Sequence, residues 1–264
     1  MIFNPKVRLE EKHEIMPDVF HLIFSGDRIA SMALPGNFVQ VKVNNGLDPT
    51  FRRPMSIHSC NAGRFEMVFR VVGKGTTILA RSEAGEFFDV IGPLGNTFEL
   101  PEKDEIAVMI SGGIGFPPLH FLSRHLMEKK NFSKEQIIYL FGIKTVSEKP
   151  MAEDILRLDV DTLFSTDDGS YGFAGPVTAL FEDMYAKRLR GKKIGIYACG
   201  PTPMLHRISQ IAVSFRLSCQ LSLEGNMPCG IGTCLGCAVK KRGENDYLRV
   251  CHEGPVFAAI EVEL

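Results

Sequence analysis

Ile106-Ala107-Val108-Met109-Ile110-Ser111-Gly112-Gly113-Ile114-Gly115-Phe116-Pro117-Pro118 divides the chain into two kinds of pattern. An unbroken apolar run from Ile106 to Ile110 is what a strand covered on both faces requires, as in a parallel sheet. Glycines then permit a tight turn, and the two prolines stand where a helix begins. The rhythm continues downstream. Ile137–Phe141, Thr162–Ser165 and Lys193–Ala198 read as further buried strands, and Pro117–Lys130, Ala152–Leu158, Val177–Arg188 and Pro203–Val213 as helices. Strands alternating with helices predict a parallel sheet with helices on both faces.

Upstream the period changes to short β-type runs, Val19–Phe24, Phe38–Val43, Met55–His58, Phe65–Val72 and Phe87–Ile91. Leu34–Asn37, Asn44–Gly46 and Gly92–Gly95 supply turn residues between them, so a small antiparallel barrel is expected. Beyond Leu217 the periodicity fades into a Gly- and Cys-rich segment ending in a β-like tail, Val256–Val262. The expected fold is therefore a β-barrel plus α/β, divided into a barrel at 1–100, an α/β domain at 101–216 and a small domain at 217–264.

Composition narrows the function. With 45% hydrophobic and 23% charged residues in 264, the chain can bury a sizeable core. Thirty Lys plus Arg balance thirty-one Asp plus Glu, with no basic stripe, so nucleic acid is not an expected partner. Met1–Glu10 lacks the apolar core of a signal peptide, and no apolar run is long enough to cross a bilayer. The expectation is a cytoplasmic protein without a membrane partner, whose seven cysteines are not a disulfide framework.

Four of those cysteines share the last thirty-six residues. Cys229, Cys234 and Cys237 fit C-x4-C-x2-C, with Cys251 further on, which is the plant-type spacing for a [2Fe–2S] cluster. Gly230, Gly232 and Gly236 let backbone N–H groups approach the sulfurs and offset their negative charge. A zinc site is the alternative, since C-x2-C is also half of a zinc knuckle, and the chain would then be a zinc-stabilised or redox-sensing module without turnover. Cys60 and Cys219 are expected as small core residues.

Two elements of the barrel region suit a diphosphate. Arg53-Pro54-Met55-Ser56 puts a guanidinium, which can grip phosphate through paired hydrogen bonds, beside a hydroxyl donor. By itself it equally fits a surface arginine near a strand start. Phe69-Arg70-Val71 leads into Gly73-Lys74-Gly75-Thr76-Thr77 and a helix-like stretch, so its amides can attract phosphate, or can simply form a turn. In the α/β region, Gly113 to Pro118 is a partial Rossmann fingerprint, G-x-G-x-x-P. Cys199-Gly200-Pro201-Thr202-Pro203-Met204 closes a later strand, and Thr166–Ser170 another, so all three lie at the sheet edge where ligands bind. Gly112, Gly113, Gly115, Cys199, Gly200 and Pro201 are thus the dinucleotide candidates. Cys199 either lies beside a nicotinamide or ends a buried strand. His120, His125 and His206 read as ordinary helix histidines, and no Ser/His/Asp or paired-carboxylate set points to hydrolysis.

Taken in order, these motifs resemble the ferredoxin–NADP reductase superfamily with a fused cluster domain. Gly112–Leu119, Cys229–Cys237 and Val250–Phe257 are more narrowly similar to the electron-transfer subunit of type B dihydroorotate dehydrogenase. The resemblance implies FAD in the barrel, NAD on the α/β domain and [2Fe–2S] on Cys229, Cys234, Cys237 and Cys251. It places Arg53, Pro54, Met55, Ser56, Val68, Phe69, Arg70, Gly75 and Thr76 against FAD. It also implies an FMN-containing catalytic subunit that oxidises dihydroorotate, assembled as two of each chain, for pyrimidine biosynthesis. Related small subunits of a NAD(P)H-dependent ferredoxin reductase, a transhydrogenase or a sulfide dehydrogenase share these cofactors and differ in partner. One departure is Ser222–Pro228, where the family usually carries an acidic-plus-basic pair before the methionine and this chain has Gly225-Asn226. The sequence leaves NAD against NADP open, because no acidic residue ends the second α/β strand and Lys144 stands nearby.

Overall fold

The computed structural model describes residues 6–44, 46 and 48–264. The start of the Met1–Glu10 reading and Asn45 of the predicted Asn44–Gly46 turn lie outside the described residues.

The first half is an antiparallel sheet built from β1 (Lys6–Met16), β2 (Val19–Ser25), β3 (Phe38–Lys42), β4 (Arg53–Ser56), β5 (Ser59–Asn61), β6 (Arg64–Arg70) and β7 (Phe87–Leu94), in the order β4-β3-β7-β1-β2-β6-β5. Short helices α1 (Asp27–Met32) and α2 (Lys74–Arg81) fill connections. Alternate residues point inward, as the pleat requires, and Leu9, Leu22, Phe24, Val39, Val41, Ile57, Phe65 and Met67 form the interior. Strand β1 escapes the sequence pattern, because between Leu9 and Ile15 its residues are polar and none is buried.

The second half is a sheet of β8 (Ile106–Gly112), β9 (Ile137–Ile143), β10 (Asp161–Thr166), β11 (Phe173–Ala174), β12 (Ile194–Cys199), β13 (Ser218–Ser222) and β16 (Val256–Ala258), in the order β11-β10-β9-β8-β12-β13-β16. All pairs are parallel except β13 with β16. On one face, Val108, Ile110, Ile138, Leu140 and Ile196 pack under α5 (Val177–Met184) and α6 (Thr202–Phe215). On the other, Ala107, Met109, Ile137, Tyr139 and Tyr197 pack under α3 (Pro117–Lys130). Cover on both faces is why these strands read as unbroken apolar runs. The stretch near Ala152–Leu158 is a 3-10 segment, Val146–Ala152, that continues into α4 (Glu153–Leu156).

Ser218–Ser222 and Val256–Ala258, which the sequence pattern groups with the cysteines, extend the parallel sheet. Between and after them, β14 (Ala238–Lys241), β15 (Tyr247–Arg249) and β17 (Val262–Glu263) make a separate three-stranded sheet. The parts interlock. Phe121 of α3 belongs to the barrel core, Val19 and Val68 of the barrel to the α/β core, and Cys237, Val250 and Cys251 to the core that holds Phe38 and Leu94. Among the described residues no helix is long and apolar enough to cross a membrane.

Candidate functional site

Chain order along the parallel sheet reverses between β8 and β12, and the crevice at such a switch point is where open α/β sheets hold ligands. Two adjoining clefts open there. The first lies against the barrel and is lined by Arg53, Pro54, Met55, Ser56, Val68, Phe69, Arg70 and Thr76, together with Cys199. The second runs over the sheet edge and is lined by Gly112, Gly113, Gly115, Gly200 and Pro201, together with Asp167. Arg70, Ile114, Gly115 and Glu224 line both, so the two clefts share a wall.

The arginines of the barrel divide their work. Arg52 pairs with Asp89 at 2.9 Å and also donates to the Asp89 carbonyl, which fixes it to the barrel wall. Arg53 donates to the carbonyl oxygens of Phe51 and Arg52, and no carboxylate among the described residues neutralises it. A side chain on Gly75 would meet Arg53 Nε at 2.3 Å, so the glycine lets the guanidinium cross the first turn of α2. Gly75 therefore lies under Arg53 and not on the cleft wall. Thr76 Oγ1 accepts from the N–H groups of Val72 and Gly73 and donates to the Gly73 carbonyl, which shapes the loop before α2. A fixed positive charge over a helix N-terminus is a setting for phosphate.

Arg70 reaches across to the α/β half. It pairs with Glu148 at 2.9 Å, while the other oxygen of Glu148 accepts from Lys144 N–H. Asp168 is held by Ser170, whose hydroxyl in turn accepts from Val146 N–H, so Asp167 is the carboxylate of that loop placed on the cleft. Cys199 is 1% exposed, and burial pushes its thiol well above the usual range, so it stays protonated. It ends the buried strand β12, one of the two sequence-based options, and also borders the first cleft. Glu224 lines both clefts, and desolvation raises its carboxyl. The sequence marks the Ser222–Pro228 run as a departure from the family pattern that bears on local flavin or partner contacts and not on the cluster. Ser222, Leu223, Glu224, Gly225 and Met227 line the first cleft, and they lead directly into Cys229.

The four cysteines converge around that point. Ile231 N–H points at Cys229 Sγ, Gly232 N–H at Cys251 Sγ (3.2 Å), Gly236 N–H at Cys234 Sγ and Cys251 N–H at Cys237 Sγ. Burial alone would raise the Cys229 thiol, but hydrogen bonds from Thr233, Ile231 and Cys234 bring it down to about 5. Cys251 is pushed up to about 12 by burial and by Cys237 beside it. Thiols this close cannot all ionise without a cationic centre, and backbone donors aimed at sulfur are what a cluster of four thiolates needs. The loop is pinned to the barrel. Gln40 Nε2 donates to the Met227 carbonyl at 3.0 Å, and Gly230, at φ 71°, passes so close to Gln40 that a Cβ would lie 2.4 Å from its side chain. Cys219 is buried and raised to about 12 by burial, as a core residue is, and Cys60 is half-buried and raised likewise.

A protein-family profile described as the iron–sulfur cluster binding domain of dihydroorotate dehydrogenase B matches residues 224–263. The protein of Desulforamulus reducens named dihydroorotate dehydrogenase B (NAD(+)), electron transfer subunit, is 36% identical over 266 residues, covering 99% of this chain and 98% of its own length. This chain belongs to that family. The proteins of the same name from Fusobacterium nucleatum and Geobacillus kaustophilus are 35% and 36% identical over 97% and 100% of this chain. Among solved structures, the NADH-dependent reduced ferredoxin–NADP oxidoreductase studied for flavin-based electron bifurcation superposes with a TM-score of 0.85 at 28% identity, over 97% of this chain and 89% of that one. Membership makes the chain a subunit of an oxidoreductase, and a catalytic partner goes with the designation electron transfer subunit.

Proposed function

We propose that this chain relays electrons between a dihydroorotate-oxidising, FMN-containing partner and NAD, through a [2Fe–2S] cluster and FAD, in a cytoplasmic assembly of two of each chain. The observation that carries the reading is the run Ser222–Met227, which lines the barrel cleft and ends one residue short of Cys229. A nicotinamide exchanges hydride, an iron–sulfur cluster exchanges single electrons, and a flavin bound between them does both.

The chain's own residues position those groups. Arg53 and the first turn of α2 suit the FAD diphosphate, with Pro54, Met55, Ser56, Val68, Phe69, Arg70 and Thr76 along the cleft and Gly75 beneath Arg53. Gly112, Gly113, Gly115, Gly200 and Pro201 suit the NAD pyrophosphate at the N-terminal ends of α3 and α6. Cys199, protonated and buried against the first cleft, excludes water there without adding charge. Cys229, Cys234, Cys237 and Cys251 would ligate the irons, and the N–H groups of Ile231, Gly232 and Gly236 offset the negative charge on sulfur. Positioning, more than acid–base chemistry, is what the protein contributes.

A second reading, a NADH-dependent reductase small subunit with another partner, is favoured by the superposition at a TM-score of 0.85. Co-expression with the cognate catalytic subunit separates the two. A stable complex that reduces NAD with dihydroorotate, while this chain alone oxidises NADH only with artificial acceptors, is the expected result. Full dihydroorotate turnover by the isolated chain would overturn the subunit reading.

A further inference from the structure

Outside both clefts, three side chains of the barrel converge on one point. His21 of β2, His58 just after β4 and Glu66 of β6 each bring one ligand atom within 4.8 Å of the other two. His21 Nε2 and Glu66 Oε2 are 2.8 Å apart, and both side chains keep an edge to solvent, at 15% and 19% exposure. His58 is different, being 1% exposed.

The surroundings of His58 fix its protons. Its ring stacks on His120 at 4.0 Å and 10°, and meets Phe116 edge-on. His120 Nδ1 lies 3.1 Å from the His58 carbonyl oxygen, which can only accept, so that nitrogen carries the hydrogen. His58 Nε2 lies 3.2 Å from Asp154 Oδ2 of α4. The other oxygen of Asp154 accepts from Arg157 at 3.1 Å. The carboxylate oxygen Oδ2 can only accept, so His58 Nε2 carries the hydrogen of the bond between them. His58 Nδ1 is then a buried lone pair with no hydrogen-bond partner among the described residues. Buried polar atoms of this kind are rare without a ligand, water or ion to satisfy them.

A histidine held through one nitrogen by a carboxylate, with the other nitrogen free, is the arrangement that protein metal ligands adopt. We propose that His21, His58 and Glu66 form a binding site for one divalent transition metal ion, zinc being the best chemical match, with Asp154 and His120 orienting His58. Two imidazoles and a carboxylate suit zinc better than magnesium or calcium, which take oxygen ligands. Zinc bonds of about 2.0–2.1 Å limit ligand separations to roughly 4 Å, so a small rotation of the half-buried His21 or Glu66 completes the set, with water in the fourth position. All three ligands stand on the barrel, whereas both orienting groups stand on the α/β half. An ion there would strengthen the His58 to Asp154 hydrogen bond and so stiffen the joint between the halves.

The test uses the holoprotein with its iron and flavin measured on the same sample, dialysed against chelator and then equilibrated with zinc ion alone. One zinc per chain is expected beyond the iron. His21→Asn and Glu66→Gln should each weaken binding at least tenfold, and Asp154→Asn by about 10- to 100-fold, with iron and flavin contents unchanged. Zinc should raise the Tm of the native protein and of none of the three variants. His58 is packed in the interior, so the two half-buried ligands carry the comparison. Absence of stoichiometric zinc at micromolar concentration, or equal zinc affinity in His21→Asn and Glu66→Gln, would overturn the site. Because iron and flavin are read independently, that outcome leaves the electron-transfer reading untouched.

Discussion

Arg53 and Arg52 are neighbours in sequence and opposites in role. Arg52 is neutralised by Asp89, whereas Arg53 is held over α2 by backbone carbonyls with its charge uncompensated. Arg53→Ala should therefore lower FAD occupancy and leave iron content unchanged. Hydrogen bonds to charged groups contribute about 1.5–3 kcal/mol, so affinity should fall on the order of 10- to 100-fold. Flavin and iron assayed together check it, and loss of both in proportion would show that Arg53 has no specific role. The histidine stack sets a pH dependence. Burial lowers His58, and burial and then His58 lower His120, with His21, Asp154 and Arg124 as the other charged groups facing them. With folded values below the unfolded value of about 6.5, the unfolded chain gains more protons as pH falls. Their contribution is full above that pH and declines as pH drops through 6.5 and below. Asp154, depressed in the fold, adds its own loss only in more acid solution. Thermal unfolding of the holoprotein at pH 7.5 and 5.5 should show a Tm several degrees lower at 5.5, and an unchanged or higher Tm would contradict this.

At the scale of elements, α2 and the Ser222–Cys229 run do most to join the sites. Gly75→Ala should favour α2 by about 1 kcal/mol of helix propensity, yet its methyl would collide with Arg53. The expected outcome is a protein of equal or higher Tm that binds FAD more weakly. Equal FAD affinity would mean that Arg53 does not need that path. The elements differ in how far the sequence reveals them. The buried strands of the parallel sheet and the turn at Gly112–Pro118 were legible, because cover on both faces writes an apolar run and a dinucleotide turn writes glycine. Strand β1 was not, since none of its polar residues is buried. Nor were β13 and β16 assignable to the parallel sheet, because they sit beside a cysteine loop whose composition hides the period. The cysteines that converge in the loop were legible from their spacing. Glu224 and Met227 were not, because their place on the cleft comes from the Gln40 contact, far off in sequence. His58, His120 and Asp154 likewise meet only through tertiary packing.

Across the whole molecule, the sheet-edge cleft and the cysteine loop both adjoin the barrel cleft. Arg70 and Glu224 line both clefts, and the run into Cys229 leads from the barrel cleft to the loop. Cys234, exposed at the loop surface, is the one of the four proposed ligands whose loss disturbs the core least. Cys234→Ser should abolish the [2Fe–2S] signal and delivery of electrons to the partner, while leaving FAD bound and reducible by NADH. Anaerobic stopped-flow mixing of NADH with the native holoprotein and with Cys234→Ser, matched for FAD content, is the most direct measurement. Flavin absorbance should bleach at similar rates in both, followed by cluster reduction in the native protein only. Loss of flavin bleaching in Cys234→Ser with FAD still bound, or cluster reduction preceding flavin reduction in the native protein, would contradict the proposed order of transfer.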